Sequence, residues 1–232
     1  MIKGFTFNGT SSASFGLIVN NVNNYGSPTR NVEKISVPYR NGDVAIDLGT
    51  YENYIVTYEV SLMQNTVSNI KDIADWLLNT KGYKRLSDDW NTGEFREAMY
   101  YNQIDWLMSS LSRYGKASIS FDCKPQRFLT SGETSTTFTS NGTLTNPTNF
   151  NAKPLIVVTG NGNFTVNGET VSVSNNADTI TIDCETMQCY YGNTNMNNYV
   201  TLDEFPQLKS GSNTINIGNV SKLVITPRWW RV

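Results

Sequence analysis

The alternation of apolar and polar positions runs longest between Pro28 and Leu62. Ile35 and Val37 share one face of a first extended run, Arg40-Asn41-Gly42-Asp43 reads as a tight turn, and Val44, Ile46 and Leu48 resume the same period. A second turn is expected at Gly49-Thr50. Beyond it Val56, Tyr58, Val60 and Leu62 alternate with Thr57, Glu59 and Ser61, the pattern of a half-buried strand. The first part holds too little to close a core of its own, so it reads as an extended β-hairpin arm. Its open strand edges need a cover. A neighbouring copy of the chain is the expected one, with Ile35, Val37, Tyr39, Arg40, Val44, Ile46 and Leu48 as subunit-interface residues.

Elsewhere the pattern predicts a mainly β chain with one helix. Phe5-Thr6-Phe7 is a short strand entering an Asn8-Gly9 turn, and Phe15 to Val19 is another, both as edges or partners of the longer strands. Tyr25 to Pro28 forms a turn, and Pro38, lacking a backbone donor, requires an outer position late in its strand. From Thr66 to Asn79 the period becomes 3.6, with Ile70, Ile73, Ala74, Leu77 and Leu78 at helical spacing, Thr66 or Ser68 as the cap and Gly82 past the end. This helix is expected to lie across a sheet and close the N-terminal core. Strands then carry Leu86, Phe95, Ala98, Tyr100, Ile104 and Trp106. Ala117, Ile119, Phe121 and Cys123 alternate against Ser118, Ser120 and Asp122 until Lys124-Pro125 ends the run.

The stretch from Thr130 to Asn151 is rich in Thr, Ser, Asn and Gly and marks a domain boundary, giving an N-terminal domain 1–130 and a C-terminal domain 131–232. In the second, Leu155, Val157, Phe164, Val166, Val171, Val173, Ile180 and Ile182 fall in short strands. Gly160-Asn161-Gly162-Asn163, Asn167-Gly168 and Asn175-Asn176 separate them, and Tyr190, Tyr191, Ile215, Ile217, Val220 and Leu223 to Ile225 continue the series. Short strands with Asn-Gly punctuation predict a β-sandwich.

Composition narrows the function more than the fold. The 232 residues suffice for two cores. Lys+Arg at 18 against Asp+Glu at 20 supplies no basic field, so specific nucleic-acid binding is not expected. Neither a secretory leader nor an apolar run long enough for a membrane anchor is evident, which predicts a chain held in the cytosol until assembly. Cys123, Cys184 and Cys189 are odd in number and irregular in spacing, and read as buried free thiols. With no histidine, the usual neutral-pH base and nucleophilic triads are missing, and a zinc site would need thiols and carboxylates alone.

Glu94 with Glu97 and Asp203 with Glu204 are the remaining acid pairs. In extended chain the second pair point apart, and neither matches the defined separation that glycoside hydrolysis needs. Gly160 to Asn163 lacks the lysine and helix of a phosphate loop. Asp47, Asp72, Asp75, Asp88, Asp89, Asp178 and Asp183 do not form a calcium loop. No catalytic residue, cofactor or metal is therefore expected, and the chain does not read as an enzyme.

Aromatic positions offer a binding alternative. Trp229 and Trp230 are adjacent, so extended backbone directs one to the core and the other outward, and Tyr190 and Tyr191 repeat the arrangement. Tyr191, Arg228, Trp230 and Arg231 are candidate partner-binding residues, and in the alternative reading the sandwich is a carbohydrate-binding surface module for host recognition.

The order of several segments resembles the distal tail protein family of long-tailed phages of Gram-positive bacteria. The opening Phe5-Thr6-Phe7-Asn8-Gly9 with Phe15-Gly16-Leu17 is followed by Pro28, Arg30 and Val37-Pro38-Tyr39-Arg40-Asn41-Gly42-Asp43. Tyr39 departs from the Pro-Gly-Arg-x-Gly turn of many members. Tyr83 to Leu86 and Phe121 to Phe128 continue the match. So do Asn141-Gly142-Thr143, Asn146-Pro147, Pro154, Gly160, Phe205-Pro206, Leu208, Gly211, Asn213 and Ile225-Thr226-Pro227-Arg228-Trp229.

The resemblance covers essentially the whole chain. It implies a homo-hexamer at the virion tail tip, with N-terminal domains closed into a ring by their arms and a galectin-like sandwich outside. It further implies a ring joining the tail tube protein to the tail-associated or baseplate hub protein, with tape-measure and receptor-binding proteins as further candidate partners. DNA would pass through a weakly polar or acidic lumen to which Asp43, Asp47, Glu52 and Glu59 are candidate contributors. At this length there is little room for the sugar-binding domain inserted in larger relatives.

Overall fold

The computed structural model describes residues 3–23, 26–63, 66–108, 114–174 and 179–232. Tyr25, Asn175, Asn176, Asp178 and the side chain of Thr66, all named in the expectations above, lie outside them. The chain packs into two compact units, Met1–Arg127 with Val232, and Phe128–Arg231.

In the first unit one hydrogen-bonded sheet runs, in spatial order, Thr10–Ser11, Phe5–Phe7, Lys84–Asp88, Glu94–Met99, Tyr114–Leu129, Tyr54–Met63 and Leu17–Asn23. The expected strand around Phe121 pairs antiparallel with Tyr54–Met63, and Ala117, Ile119 and Phe121 lie opposite Val60, Tyr58 and Val56. All six are buried, so the alternation read from sequence is the core face. The helix spans Thr66–Leu78 and buries Ile73 and Leu77 in that core. Trp76 stacks on Phe15 at 4.7 Å, and Phe5 stacks on Tyr58 at 4.4 Å.

Several expectations need correction. Ser68 lies inside the helix and is not its cap. Phe15 ends a 3-10 turn, Ser12–Phe15, and the strand begins at Leu17 after Gly16, which takes the left-handed conformation at φ 71°. Tyr100, Ile104 and Trp106 lie outside the strands. Lys124-Pro125 does not end its strand, which runs through to Leu129. The ladder with Tyr54–Met63 stops at the Cys123 and Tyr54 pair, so Pro125 sits where that partner has run out and its missing N–H costs no bond there.

Charge enters this core in one place. Arg96 and Asp88 form an ion pair at 3.3 Å with side chains 3 % and 0 % exposed. Tyr58 donates to the same Asp88 oxygen at 3.1 Å, and the other oxygen accepts the backbone N–H groups of Trp90 and Asn91. Arg96 Nε donates to Tyr54 at 2.7 Å. Burial, and then the Asp88 charge, push the Tyr58 hydroxyl well above its ordinary pKa, so it stays a donor.

The second unit has two antiparallel sheets. One orders Thr136–Phe138, Lys222–Thr226, Leu155–Thr159, Thr179–Asp183, Gln188–Tyr191 and Thr194–Asn195. The other orders Gly142–Asn146, Gly211–Asn216, Gly162–Val166, Glu169–Val173 and Val200–Leu202. Ile156, Val158, Ile182 and Leu223 from the first meet Phe164, Val166, Val171 and Ile215 from the second in one buried cluster, a sandwich-like core. Asn167 and Gly168 both have positive φ, 52° and 90°, as their two-residue hairpin turn requires. Ile217 and Val220 are buried but follow the last residue of their strand.

Candidate functional site

Among the described residues, strands Arg30–Ile35 and Val44–Tyr51 pair only with each other, a two-stranded ribbon outside the large sheet. Ile35 faces Val44, Glu33 faces Ile46, Lys34 faces Ala45, Val32 faces Asp47 and Arg30 faces Tyr51. Side-chain alternation therefore gives the ribbon two unlike faces. One carries Ile35, Val44, Ile46 and Leu48 beside Glu33, with Asn31 donating to Thr50 at 3.0 Å at the base. The other carries Arg30, Val32, Lys34, Asp47 and Tyr51.

The second face is organised by charge. Arg30 reaches both oxygens of Asp47, at 3.0 and 2.6 Å, and lies 5.9 Å from the Tyr51 ring centroid. The backbone N–H of Gly49 donates to Asp47 at 2.9 Å, and this bond, with Arg30 second, holds the carboxyl below its ordinary pKa. Gly49 is thus not in a turn, as expected, but within the strand at φ 70°. It sits at a register shift opposite Asn31 that re-aims the ribbon base.

The apolar face is open. Leu48 is 57 % exposed, Ile35 and Ile46 are each 42 %, and Val37, just past the strand end, is 37 %. An isolated hairpin is marginal in water, and a ribbon with a contiguous apolar row needs another surface against it. Val32, on the charged face, is a further exposed apolar residue, three positions before Ile35 and so out of step with the apolar row.

The tip is a turn in which the Arg40 N–H donates to the Val37 carbonyl at 3.2 Å. Pro38 lies in this turn and not in the strand. Tyr39 has φ 64°, a region that costs an ordinary side chain energy, and its side chain is wholly exposed.

The remaining candidates belong to the second unit. Arg228 is engaged within its own chain, donating to both Asp183 oxygens at 2.6 and 3.2 Å. Burial works against the Asp183 charge, but Arg228 outweighs it and the carboxyl stays below its ordinary range. Trp229 is buried, while Trp230 packs on Phe150 at 4.6 Å and donates from Nε1 to the Asn151 carbonyl at 2.9 Å. Tyr191 is 55 % exposed at the end of its strand, and Arg231 is exposed. Among the described residues, no group of three or more His, Cys, Asp and Glu side chains is placed to hold a metal.

One feature of the first unit escaped the sequence reading. A cleft of about 540 Å³ opens on the polar side of the long strands, lined by Asn20, Glu59, Gln103, Asp105, Tyr114 and Lys116, with Val60, Ala117 and Ser118 below. Tyr114 and Asn20 both bond the Ser61 hydroxyl, and Gln103 donates to Asp105 at 2.7 Å.

No family model and no curated protein matches the sequence. Among solved structures, the Dit (gp 19.1) protein of phage SPP1, described as a paradigm of hub adsorption apparatus in Gram-positive infecting phages, aligns over 100 % of both chains. Its TM-score is 0.75 and its sequence identity 12 %. Chains of the phage p2 baseplate in its activated conformation with strontium and with calcium align over 97 % of this chain and 98 % of their own. Their TM-scores are 0.50 and 0.52, both at 11 % identity. At such identities the likeness speaks to the fold, and from end to end this chain has the fold of the SPP1 Dit protein.

Proposed function

We propose that this chain is the structural hub of a phage tail tip or baseplate. Six copies close into a ring through their N-terminal units, each arm lying on the next copy. The ring joins the tail tube protein to the tail-associated or baseplate hub protein and leaves a channel for DNA. The observation that carries the reading is the arm: a two-stranded ribbon, paired to no other strand, whose apolar row of Ile35, Ile46 and Leu48 is open to water. The Dit fold, found in a phage hub protein, supports it.

On this reading the protein is not an enzyme, the sandwich is galectin-like and decorates the outside, and Tyr191 and Arg231 are its more accessible partner-binding candidates. Tape-measure and receptor-binding proteins are further partners, and the site of action is the virion tail tip after synthesis in the host cytoplasm. The test is the mass of the protein in solution over a concentration series, with and without residues Val32 to Leu48. The intact chain is expected to close into hexamers and the deleted one to remain a folded monomer. Closed rings from the deleted chain would remove the arm from its role.

A further inference from the structure

The arm tip spends conformational energy on presenting one aromatic ring. Tyr39 holds a left-handed backbone conformation that glycine takes freely and tyrosine does not, and its side chain touches no other part of its own chain. Beside it, Arg40 makes no ion pair among the described residues, and Asp43 lies across the turn. An exposed tyrosine next to an arginine without an ion pair among the described residues is the composition of a binding hot spot.

The cleft on the first unit is the complementary feature. Its rim carries two exposed acids, Glu59 and Asp105, neither in an ion pair among the described residues, and one cation, Lys116. Its floor is low because Ser118, the strand residue that faces it, is small, and Tyr114 and the exposed Leu107 supply apolar walls. Arg40 finds a carboxylate there, Asp43 finds Lys116, and the Tyr39 ring finds walls of matching character. The tip is wholly exposed in its own chain, so the occupant comes from elsewhere.

We propose that Tyr39 and Arg40 are the anchor of the arm, and that they seat in the cleft between Glu59, Asp105 and Tyr114 of a second copy of this chain. The proposal rests on the arm reading and adds to it the receiving surface and its chemistry. The apolar face supplies burial along the ribbon, and the tip supplies register, fixing how far each arm reaches before the next copy begins.

The test is a cysteine pair, Asn41→Cys with Ser118→Cys, in the full-length protein, which keeps Tyr39 and Arg40 in place. The native thiols offer little competition: burial pushes Cys123 and Cys184 up to about 12 and Cys189 up to about 11. A disulfide between copies, and none when Ser118→Cys is replaced by Thr143→Cys on the second unit, is the expected result. Arg40→Glu should weaken association at least about tenfold, and Glu59→Arg with Asp105→Arg should restore it.

Leu48→Asp separates the two levels of the claim. If Leu48→Asp abolishes association while the Asn41→Cys, Ser118→Cys pair does not cross-link in protein that keeps Leu48, the anchor is wrong and the arm reading stands. If neither Leu48→Asp nor Arg40→Glu changes association, or if the protein stays monomeric at its highest soluble concentration, both fall. A disulfide formed only within one chain also overturns the anchor.

Discussion

Truncating Ile46 and Leu48 together to alanine leaves each isolated copy almost untouched and weakens the contact between copies. Full burial of a leucine or isoleucine side chain is worth ~1.5–3 kcal/mol. Leu48 is 57 % exposed and Ile46 42 %, so a covering surface removes about half of each from water. The pair then contributes roughly 2 kcal/mol per arm contact. Alanine keeps only the first carbon, forfeiting about 1.5 kcal/mol, which weakens each contact about tenfold. A closed ring multiplies the loss over all its contacts.

Global stability of the isolated chain should move by less than about 0.5 kcal/mol, because the ribbon that carries both side chains is paired outside the large sheet and can open locally without unfolding it. Sedimentation over a concentration series reads the first effect and chemical denaturation of dilute protein the second. An unchanged association constant would refute the reasoning. So would a matching loss of monomer stability, since that would mean the row packs within its own chain.

Two further outcomes concern the two cores. Arg96→Met strands the buried Asp88 carboxylate and should cost ~3–5 kcal/mol in denaturant unfolding. Adding Asp88→Asn, whose amide oxygen keeps an acceptor for the Trp90 and Asn91 N–H groups and whose NH2 can donate to the Tyr58 oxygen, removes the charge and should recover part of that loss. The Asp183 carboxyl is depressed in the fold, so its contribution is complete above the unfolded value of ~3.9 and disappears as pH falls through the lower folded value. Arg228→Gln should therefore shift the acid-unfolding midpoint of the second unit upward, followed by the fluorescence of buried Trp229. An unmoved midpoint would mean the pair contributes nothing.

The arm was legible because its signal is local: a period of two, a four-residue turn, and too little apolar content for a core. The helix was legible for the same reason. What the sequence hid depends on neighbours distant in the chain. Gly49-Thr50 looks like a turn, and only the Asp47 carboxylate on the Gly49 N–H and a register shift opposite Asn31 reveal a bulge. Pro125 looks like a stop, but strand continuation depends on where the partner ladder ends. Nothing in the short strands Lys84–Asp88 and Glu94–Met99 announces that Asp88 and Arg96 will both be enclosed. Arg228 looked available, yet Asp183, far off in sequence, takes it. Tyr39 gave no sign of its backbone, since tyrosine is the wrong residue for that conformation.

On the proposed reading assembly falls to the first unit, and the distribution of strand edges supports that assignment. In the sandwich the outermost strands are Thr136–Phe138, Thr194–Asn195, Gly142–Asn146 and Val200–Leu202, of 3, 2, 5 and 3 residues, too short to template another chain well. The five-stranded sheet turns Thr143, Thr145, Ser212 and Thr214 outward, a face with little to bury. The first unit is the reverse. Leu17–Asn23 is an edge of 7 residues, and the arm strands of 6 and 8 residues have no neighbour on their outer sides. One donor surface and a different receiving surface on the same chain make a head-to-tail contact, which repeats until it closes or grows without limit. On the docking proposed above, a receptor cleft that fixes how far the arm tip reaches would supply the constant rotation that closure demands, and the strain at Tyr39 would be expended on the step that separates a ring from a filament.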